Sequence, residues 1–458
     1  MKMFRTGLIL GTMALALAGC GVLGRGGGDK RPKTPTIGER IPILTSESNA
    51  DLDPSLADVA VLLPPAQLNT DWAQPGGNGA KMMEHVALGA ALGEAWTVKI
   101  DGTTPYARLA ASPVVGDGKI FVVDIYANVH AFDAATGAKL WVSQIGDAKD
   151  VAGHISIISG EMVGNRGSLF GGGVSYEDGK IYATSGLGDV AAFNAADGKQ
   201  IWKVRPGGPL RGAPSISNGQ IYVMSQDNQI FALKMADGGV IWNEAASLEV
   251  SGIFGAAAPA VAQGSVVAGF SSGELNAYRY ENGRSLWADA LSRTSISTSV
   301  ASLSDVDASP VIDRGRVFAI GQGGRMVSME LVTGQRIWEI NVAGIATPWV
   351  AGEWVFVIDD QARLLCLARA NGKVRWISQL PRYRKEKKKN GPIIWTGPIL
   401  AGDRLIVASS EGQLANINPA NGALQSTTKA GAPVYLPPIV ANNTMYVLTN
   451  DGHLTAWR

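Results

Sequence analysis

Residues 118–141 read GKIFVVDIYANVHAFDAATGAKLW, and residues 179–202 read GKIYATSGLGDVAAFNAADGKQIW. Both stretches open on a glycine followed by a short apolar run, and both close on a glycine four residues before a tryptophan. Apolar runs of this length with β-branched and aromatic residues are typical of strands, and Thr-Gly or Asp-Gly is typical of the tight turn that joins two strands. The stretch therefore predicts a repeated unit of short antiparallel strands.

The same unit returns along the chain as far as Arg458. Four further copies keep both glycines and the tryptophan, a seventh has Ser426 in place of the tryptophan, and an eighth stops before its last strand. A unit of four strands over ~40–45 residues is the signature of a β-propeller blade. We expect the shared tryptophan to pack between blades, because a ligand site would not need six equivalent copies. The six tryptophans are Trp141, Trp202, Trp242, Trp287, Trp338 and Trp376.

The missing strand of the eighth copy has a candidate at the other end of the repeat region. Residues 94–100 read EAWTVKI and carry Trp96 in the position that the other copies give to their tryptophan. Pairing this strand with the last copy would close the ring and remove its open edges. We therefore predict an all-β fold, an eight-bladed β-propeller of four-stranded blades over residues 94–458, in which strand 94–100 completes the last blade.

The first residues predict export rather than structure. Residues 1–19 combine two early positive charges with a short apolar run, which is typical of a secretory signal peptide. Leu17-Ala-Gly-Cys20 resembles the bacterial lipobox, and this resemblance implies cleavage before Cys20 and acylation of that residue. Gly21, rather than Asp, follows the cysteine, which favours the outer membrane. The alternative is a plain signal peptide with an incidental cysteine.

Between the signal and the propeller the sequence has no sustained periodicity. Residues 20–70 are rich in glycine and scattered prolines, which predicts a lipidated flexible tether. Residues 71–93 form a lead-in segment before the first strand.

Composition excludes several classes of protein. Lys and Arg number 40 against 39 Asp and Glu, so the basic excess of a nucleic-acid-binding protein is missing. Two cysteines and four histidines leave little for a transition-metal site or a disulfide scaffold. We therefore expect no nucleic acid, no metal and no cofactor. Cys366 occupies a position filled by alanine in other copies and is predicted to be a buried, inert thiol.

The copies differ mainly in the links that join one blade to the next. These links share one face of a propeller, and insertions confined to one face often mark the binding face. Residues 146–173 are a long link that either covers the central channel or takes part in binding. Residues 382–389, RYRKEKKK, are strongly basic and form either a solvated loop or a contact for anionic lipid headgroups or an acidic partner.

The glycine-to-tryptophan repeats resemble those of pyrroloquinoline-quinone (PQQ) enzymes. Eight copies together with a lipobox resemble more closely the BamB family, and residues 303–310, LSDVDASP, are similar to a signature of that family. The resemblance implies a non-enzymatic lipoprotein on the periplasmic face of the outer membrane of a Gram-negative bacterium. It also implies membership of the outer-membrane β-barrel assembly (BAM) complex, binding to a POTRA domain of BamA, and assistance to nascent β-barrel proteins during assembly and insertion.

The resemblance also implies which residues meet BamA, since family contacts come from two adjacent links. Asp305 and Asp307 match one link, and Ile253 matches an apolar contact in the other. Ser251 and Phe254 depart from the family pattern, and Phe254 stands where an arginine is usual. An exposed Phe254 would be an apolar anchor, while the aspartates would steer a basic patch without supporting the ring. Alternatively, the aspartates shape their own loop by bonding to its backbone.

Two rival functions stay open at this point. A quinone dehydrogenase with these repeats would be expected to show an acidic calcium site and vicinal cysteines, and the sequence has no Cys-Cys pair. A binding propeller for another envelope client is the second rival, because fold alone does not fix function. Tight quinone binding would identify the first rival, and failure to co-purify with BamA would favour the second.

Overall fold

A computed structural model describes residues 50–105, 107–146, 154–155, 162–163, 171–248, 257–291 and 305–458. Within these residues the chain forms eight four-stranded antiparallel sheets arranged as a β-propeller, which confirms the predicted fold class. In blades 1 to 4 the strands, from the channel outward, are Val114–Gly116, Lys119–Val123, Asn128–Asp133 and Lys139–Gln144; Gly172–Glu177, Lys180–Ser185, Val190–Asn194 and Gln200–Val204; Ser215–Ser217, Gln220–Met224, Gln229–Lys234 and Val240–Ala245; Ala260–Ala262, Ser265–Gly269, Glu274–Arg279 and Ser285–Ala290. In blades 5 to 8 they are Val311–Asp313, Arg316–Ile320, Met326–Glu330 and Arg336–Ile340; Trp349–Ala351, Trp354–Ile358, Arg363–Ala368 and Val374–Gln379; Trp395–Ala401, Arg404–Ser409, Gln413–Ile417 and Leu424–Lys429; Ile439–Ala441, Thr444–Leu448, His453–Trp457 and Glu94–Lys99.

A few elements lie outside the blades. Two short hairpins pair His154–Ile155 with Met162–Val163 and Tyr383–Lys385 with Asn390–Pro392, and two 3-10 turns span Pro54–Leu56 and Glu386–Lys388. In the described part of the chain, no helix has the length and apolar character needed to cross a membrane.

The ring closes as the sequence predicts. Glu94–Lys99 pairs antiparallel with His453–Trp457, with Thr97 opposite Thr455. At the end of this pair, Gly93 and Arg458 exchange two backbone hydrogen bonds of 2.6 and 2.9 Å. Blade 8 is therefore built from both ends of the repeat region, and its third and fourth strands are not joined by a turn.

The repeated tryptophan joins each blade to the next. In seven of the eight blades its Nε1–H donates to a backbone carbonyl just beyond the third strand of the following blade, at 2.8–3.3 Å. The indole also covers the turn glycine of that blade: a Cβ on Gly137 would lie 2.8 Å from Trp96, and φ there is +73°. This explains why glycine and tryptophan recur together, and it confirms the predicted packing role.

Blade 7 breaks the pattern, and among the described residues its neighbour, blade 8, shows no equivalent acceptor carbonyl. The acceptor carbonyls belong to the turn between third and fourth strands, and blade 8 has no such turn. Ser426 stands in the tryptophan position and accepts a hydrogen bond from Asn416 Nδ2 within its own sheet (2.9 Å). The substitution that the sequence shows thus follows from where the ring is closed.

The lead-in chain closes one end of the central channel. Residues 69–86, here called the ring segment, contact the innermost strands of blades 8, 1, 2, 3, 4, 5, 6 and 7 in that order. Trp72 exchanges two 2.9 Å backbone bonds with Val115 of blade 1, and the Gln74 side chain both donates to and accepts from the backbone of Ile216 in blade 3 (2.8 Å each). The other contacting residues are Asn69, Ala73, Gly79, Ala80, Glu84 and Val86.

Part of the segment that the sequence predicts as a flexible tether contacts the propeller. The tether is predicted to reach residue 70, yet the chain lies against blade 6 from Ala50 onward. Leu52 bridges to Val374, and the Asp53 carboxylate accepts an ion pair from Lys373 Nζ at 2.8 Å. Ala50 itself is buried in an apolar cluster of blades 5 and 6. Sequence composition gave no sign of these contacts, because they use backbone atoms and isolated side chains rather than a periodic apolar face.

Candidate partner-binding face

The two faces of the propeller are built differently. The near-constant turns and the ring segment occupy one face, and the links between blades occupy the other, here called the link face. Each link is named by the two blades that it joins, so link 3–4 comprises residues 246–259 and link 4–5 comprises residues 291–310. These two links carry the residues that the family resemblance implicates. Ile253 and Phe254, together with Cys20, lie outside the described residues, so their roles stay predictions. Asp305 and Asp307 are described.

The end of link 4–5 is wedged between two blades. Val306 is buried, its N–H donates to the Phe270 carbonyl of blade 4 (3.1 Å), and the Asp305 carbonyl accepts from the N–H of Gln322 in blade 5 (2.8 Å). A Cβ on Gly269 would lie 2.4 Å from Val306 Cγ1, so that glycine makes room for the wedge. The segment that carries both aspartates is thus part of the folded ring.

Asp307 is engaged inside the protein. Its Oδ1 accepts a 2.9 Å ion pair from Nη2 of Arg211, a residue of link 2–3, and the two side chains are only 6 % and 4 % exposed. Burial raises the pKa of the Asp307 carboxyl to about 7; the Arg211 guanidinium opposes this rise, and the nearby Asp305 adds to it. Two carboxylates and one guanidinium therefore share a dry site beneath the link face.

This placement corrects one expectation about the aspartates. They were expected to lie outside the core and to be dispensable for the ring, but Asp305 is fully buried and Asp307 pairs with Arg211 across blades 3 and 4. Because Val306 is buried between blades 4 and 5, the side chains of its sequence neighbours Asp305 and Asp307 are buried as well. Contact with a partner remains a prediction for both residues.

The bases of the implicated links are fastened side by side. The Ala258 N–H of link 3–4 donates to Ser309 Oγ of link 4–5 (3.1 Å), and the Ser309 N–H donates to Thr347 Oγ1 of link 5–6 (3.2 Å). Any surface that these links present together is therefore held by a continuous set of hydrogen bonds on blades 3 to 6.

Two features of this face escape sequence reasoning. Arg211 sits in a Gly-Pro-rich link with no local pattern that points to Asp307.

The second feature is a cap on the turn between the second and third strands. In six blades a side-chain oxygen accepts backbone N–H groups within this turn. Blades 4 and 5 have Phe270 and Gly321 there instead, where link 4–5 docks. The sequence signal for these caps is a Ser, Thr or Asp at the end of the second strand or directly after it. The six capping residues are Asp124, Ser185, Ser225, Asp359, Ser409 and Thr449.

A buried His–Asp pair is part of one such cap. His130 Nε2 lies 2.7 Å from Asp124 Oδ2. The Asp124 carboxylate also accepts from the N–H groups of Tyr126 and Asn128 and from Asn128 Nδ2 (2.8–2.9 Å). Its hydrogen-bonding capacity is thus used to hold the turn. Within the described ranges, no group of three or more His, Cys, Asp or Glu is placed to hold a metal ion, and Cys366 is a buried free thiol.

Residues 83–154, 148–378 and 384–457 match the family described as outer membrane protein assembly factor BamB. The chain belongs to the BamB family. A curated BamB from Salmonella typhimurium is 32% identical over 345 residues, which are 75% of this chain and 83% of that protein. The family match, which starts at residue 83 within the ring segment, covers all eight blades.

Solved structures confirm the fold. BamB from Moraxella catarrhalis superposes with a TM-score of 0.67 at 18% identity, covering 80% of this chain and 100% of that one. A quinohemoprotein alcohol dehydrogenase from Comamonas testosteroni superposes with a TM-score of 0.64 at 14% identity, covering 86% and 81%. At these identities the likeness concerns fold alone, whereas the family match is to one described as an outer membrane protein assembly factor.

Proposed function

We propose that this BamB-family chain is a non-enzymatic scaffold of the BAM complex that binds a POTRA domain of BamA and assists assembly of outer-membrane β-barrel proteins. The observation that carries the proposal is the BamB family match over residues 83–154, 148–378 and 384–457, which takes in all eight blades and links 3–4 and 4–5. Curated relatives bear the name of outer membrane protein assembly factor.

The geometry supports a binding surface on links 3–4 and 4–5. Their bases are joined by the Ala258–Ser309 bond, so Ile253 and Phe254 belong to a link whose base adjoins that of Asp305 and Asp307. Protein interfaces are usually built around an apolar or aromatic centre, and Ile253 and Phe254 are the candidates for it here. In this chain the two aspartates would contribute by holding link 4–5 in place, through the ion pair of Asp307 with Arg211 and through their neighbour Val306. Any electrostatic effect of their carboxylates on a partner would act from a buried position.

Co-purification tests the proposal. An affinity-tagged chain, extracted gently in detergent from the bacterium that produces it, should bring down BamA. Capture of a different envelope protein without BamA would contradict the proposal and favour the rival binding propeller.

The anchor has its own test, because Cys20 is proposed as the acylated residue. Cys20→Ala should remove the chain from the outer-membrane fraction of cells depleted of BamA, whereas the wild-type chain should stay there, since two or more acyl chains are enough for stable attachment. Recovery of Cys20→Ala in that fraction would exclude the lipid anchor.

A further inference from the structure

The basic run in link 6–7 folds into an ordered hairpin. Tyr383 pairs with Pro392 and Lys385 with Asn390. Its base is fastened to the propeller: Ile394 N–H donates to Ser410 Oγ (3.0 Å), and Trp395 Nε1–H donates to the Pro381 carbonyl (2.8 Å). The base of the hairpin is therefore hydrogen-bonded to the propeller, while residues 384–390 are exposed.

The arginines and the one acid of this hairpin have structural partners. Arg384 Nε bonds Glu411 Oε1 at 2.6 Å. Arg382 lies 5.4 Å from the centre of the Tyr383 ring and near Asp360. Glu386 accepts the backbone N–H groups of Arg382 and Tyr383 at 2.9 and 3.0 Å. These interactions shape the hairpin and hold Glu386 toward its base.

Unlike the arginines, the four lysines of the hairpin have no carboxylate partner among the described residues. All four are exposed. They occupy the far end of the hairpin, around its 3-10 turn, and give it four positive charges that no structural interaction requires. They are Lys385, Lys387, Lys388 and Lys389.

We propose that this lysine tip binds the surface of an anionic phospholipid membrane. Lysine is a compact, strongly hydrated charge on a long stem, which suits attraction to a layer of headgroups without fixed geometry. Protein interfaces are instead depleted in lysine and built around apolar or aromatic anchors, and no such side chain stands among the four lysines. Single-stranded nucleic acid would need exposed aromatic rings for stacking, and Tyr383 is covered by Arg382.

The contact would set the orientation of the propeller. A lipid anchor tethers a chain to a membrane but leaves it free to rotate, and a cluster of four lysines adds a second attachment at a defined point. Link 6–7 is two links away from link 4–5 around the same face. The proposed lipid contact does not require BamA or acylation, so it can be tested without either.

Vesicle co-sedimentation tests this inference. The probe protein is the chain from residue 20 with Cys20→Ser, which cannot be acylated, and the probe membranes are phosphatidylethanolamine vesicles with or without phosphatidylglycerol. We expect binding only to the vesicles with phosphatidylglycerol, and we expect it to weaken as salt is raised. Changing the four tip lysines to Gln should lower the partition coefficient by on the order of 100-fold or more, at ~5-fold for each lysine.

The matched control removes the same charge elsewhere. Lys139, Lys180, Lys199 and Lys234 are also exposed and lie at the turns of the opposite face; their change to Gln should leave vesicle binding within ~3-fold of wild type. Circular dichroism melts show that both variants fold. Equal losses in the two variants, failure of the wild-type chain to bind anionic vesicles, or tighter binding to polyglutamate than to the vesicles would each overturn the proposal.

Discussion

Arg211 and Asp307 are 96 residues apart in the sequence and meet in a buried ion pair, with 2.9 Å between Nη2 and Oδ1. The pair joins link 2–3 to link 4–5, which precede blade 3 and follow blade 4 respectively. It is a buried polar tie beneath the face that we propose for BamA, and its energetics bear on how firmly that face is held.

The first prediction concerns this pair. Arg211→Met should lower the free energy of unfolding by about 3–5 kcal/mol, because it leaves a carboxylate buried without its counter-charge. Arg211→Met combined with Asp307→Leu should recover part of that loss, because it removes one of the two carboxylates that lose their counter-charge and leaves the buried Asp305 in place. Urea unfolding of the wild type and both variants measures the difference. A double variant as unstable as Arg211→Met would show that the pair itself is not what stabilises the site.

The second prediction concerns the interrupted tryptophan series. Trp376→Ser in blade 6 should cost about 3–5 kcal/mol, because it empties the space against Gly422 and removes the bond to the Pro419 carbonyl. Ser426→Trp in blade 7 should give no gain, because blade 8 has no turn carbonyl to receive the indole N–H. Thermal melts of the two variants compare the effects. A clear rise in melting temperature for Ser426→Trp would contradict our explanation of the serine.

The third prediction concerns the ring segment. Gln74→Leu leaves the N–H and carbonyl of Ile216 without their partner in a buried site, which should cost about 2–4 kcal/mol. Gln67→Leu is the control, because Gln67 is exposed, and it should change the free energy of unfolding by less than about 0.5 kcal/mol. Equal effects of the two substitutions would mean that the segment does not hold the ring through Gln74.

The fourth prediction concerns pH. Lys81 of the ring segment is 3 % exposed, donates to Ser215 Oγ at 2.8 Å, and burial lowers its pKa from 10.5 to about 7. The unfolded chain then holds this proton up to about pH 10.5 while the folded chain releases it near pH 7, so its contribution makes stability rise with pH between these values.

Lys81→Met should remove this slope and raise the free energy of unfolding at pH 7 by on the order of 3–5 kcal/mol. Lys139→Met, at an exposed position, should keep the wild-type dependence on pH. Urea unfolding at pH 7 and pH 9 makes the comparison. A wild-type slope retained in Lys81→Met would assign the pH dependence to other groups.

Much of this fold could be predicted from the sequence because it is periodic. Each blade repeats the same Gly-x-x-x-Trp signal, and the position of Trp96 predicts the closing strand. The ring segment could not be predicted, since its residues, among them Trp72, Gln74 and Gly79, each make an isolated contact with one of eight different strands and carry no period. Asp307 could be singled out because it lies in the segment LSDVDASP. Its partner Arg211 could not, because the link that contains Arg211 has no motif and no period.

The most direct test of the proposed function is the affinity of this chain for the POTRA domains of BamA from the same bacterium. Isothermal titration calorimetry with the Cys20→Ser chain from residue 20 should show saturable binding, and Phe254→Ala should weaken it by ~1–3 kcal/mol if that side chain is a central anchor. Val332→Ala is the control, because Val332 is 62 % exposed on the opposite face, and it should bind as the wild type does. Absence of binding by the wild-type chain would contradict the proposed scaffold role, and wild-type affinity in Phe254→Ala would place the BamA contact away from link 3–4.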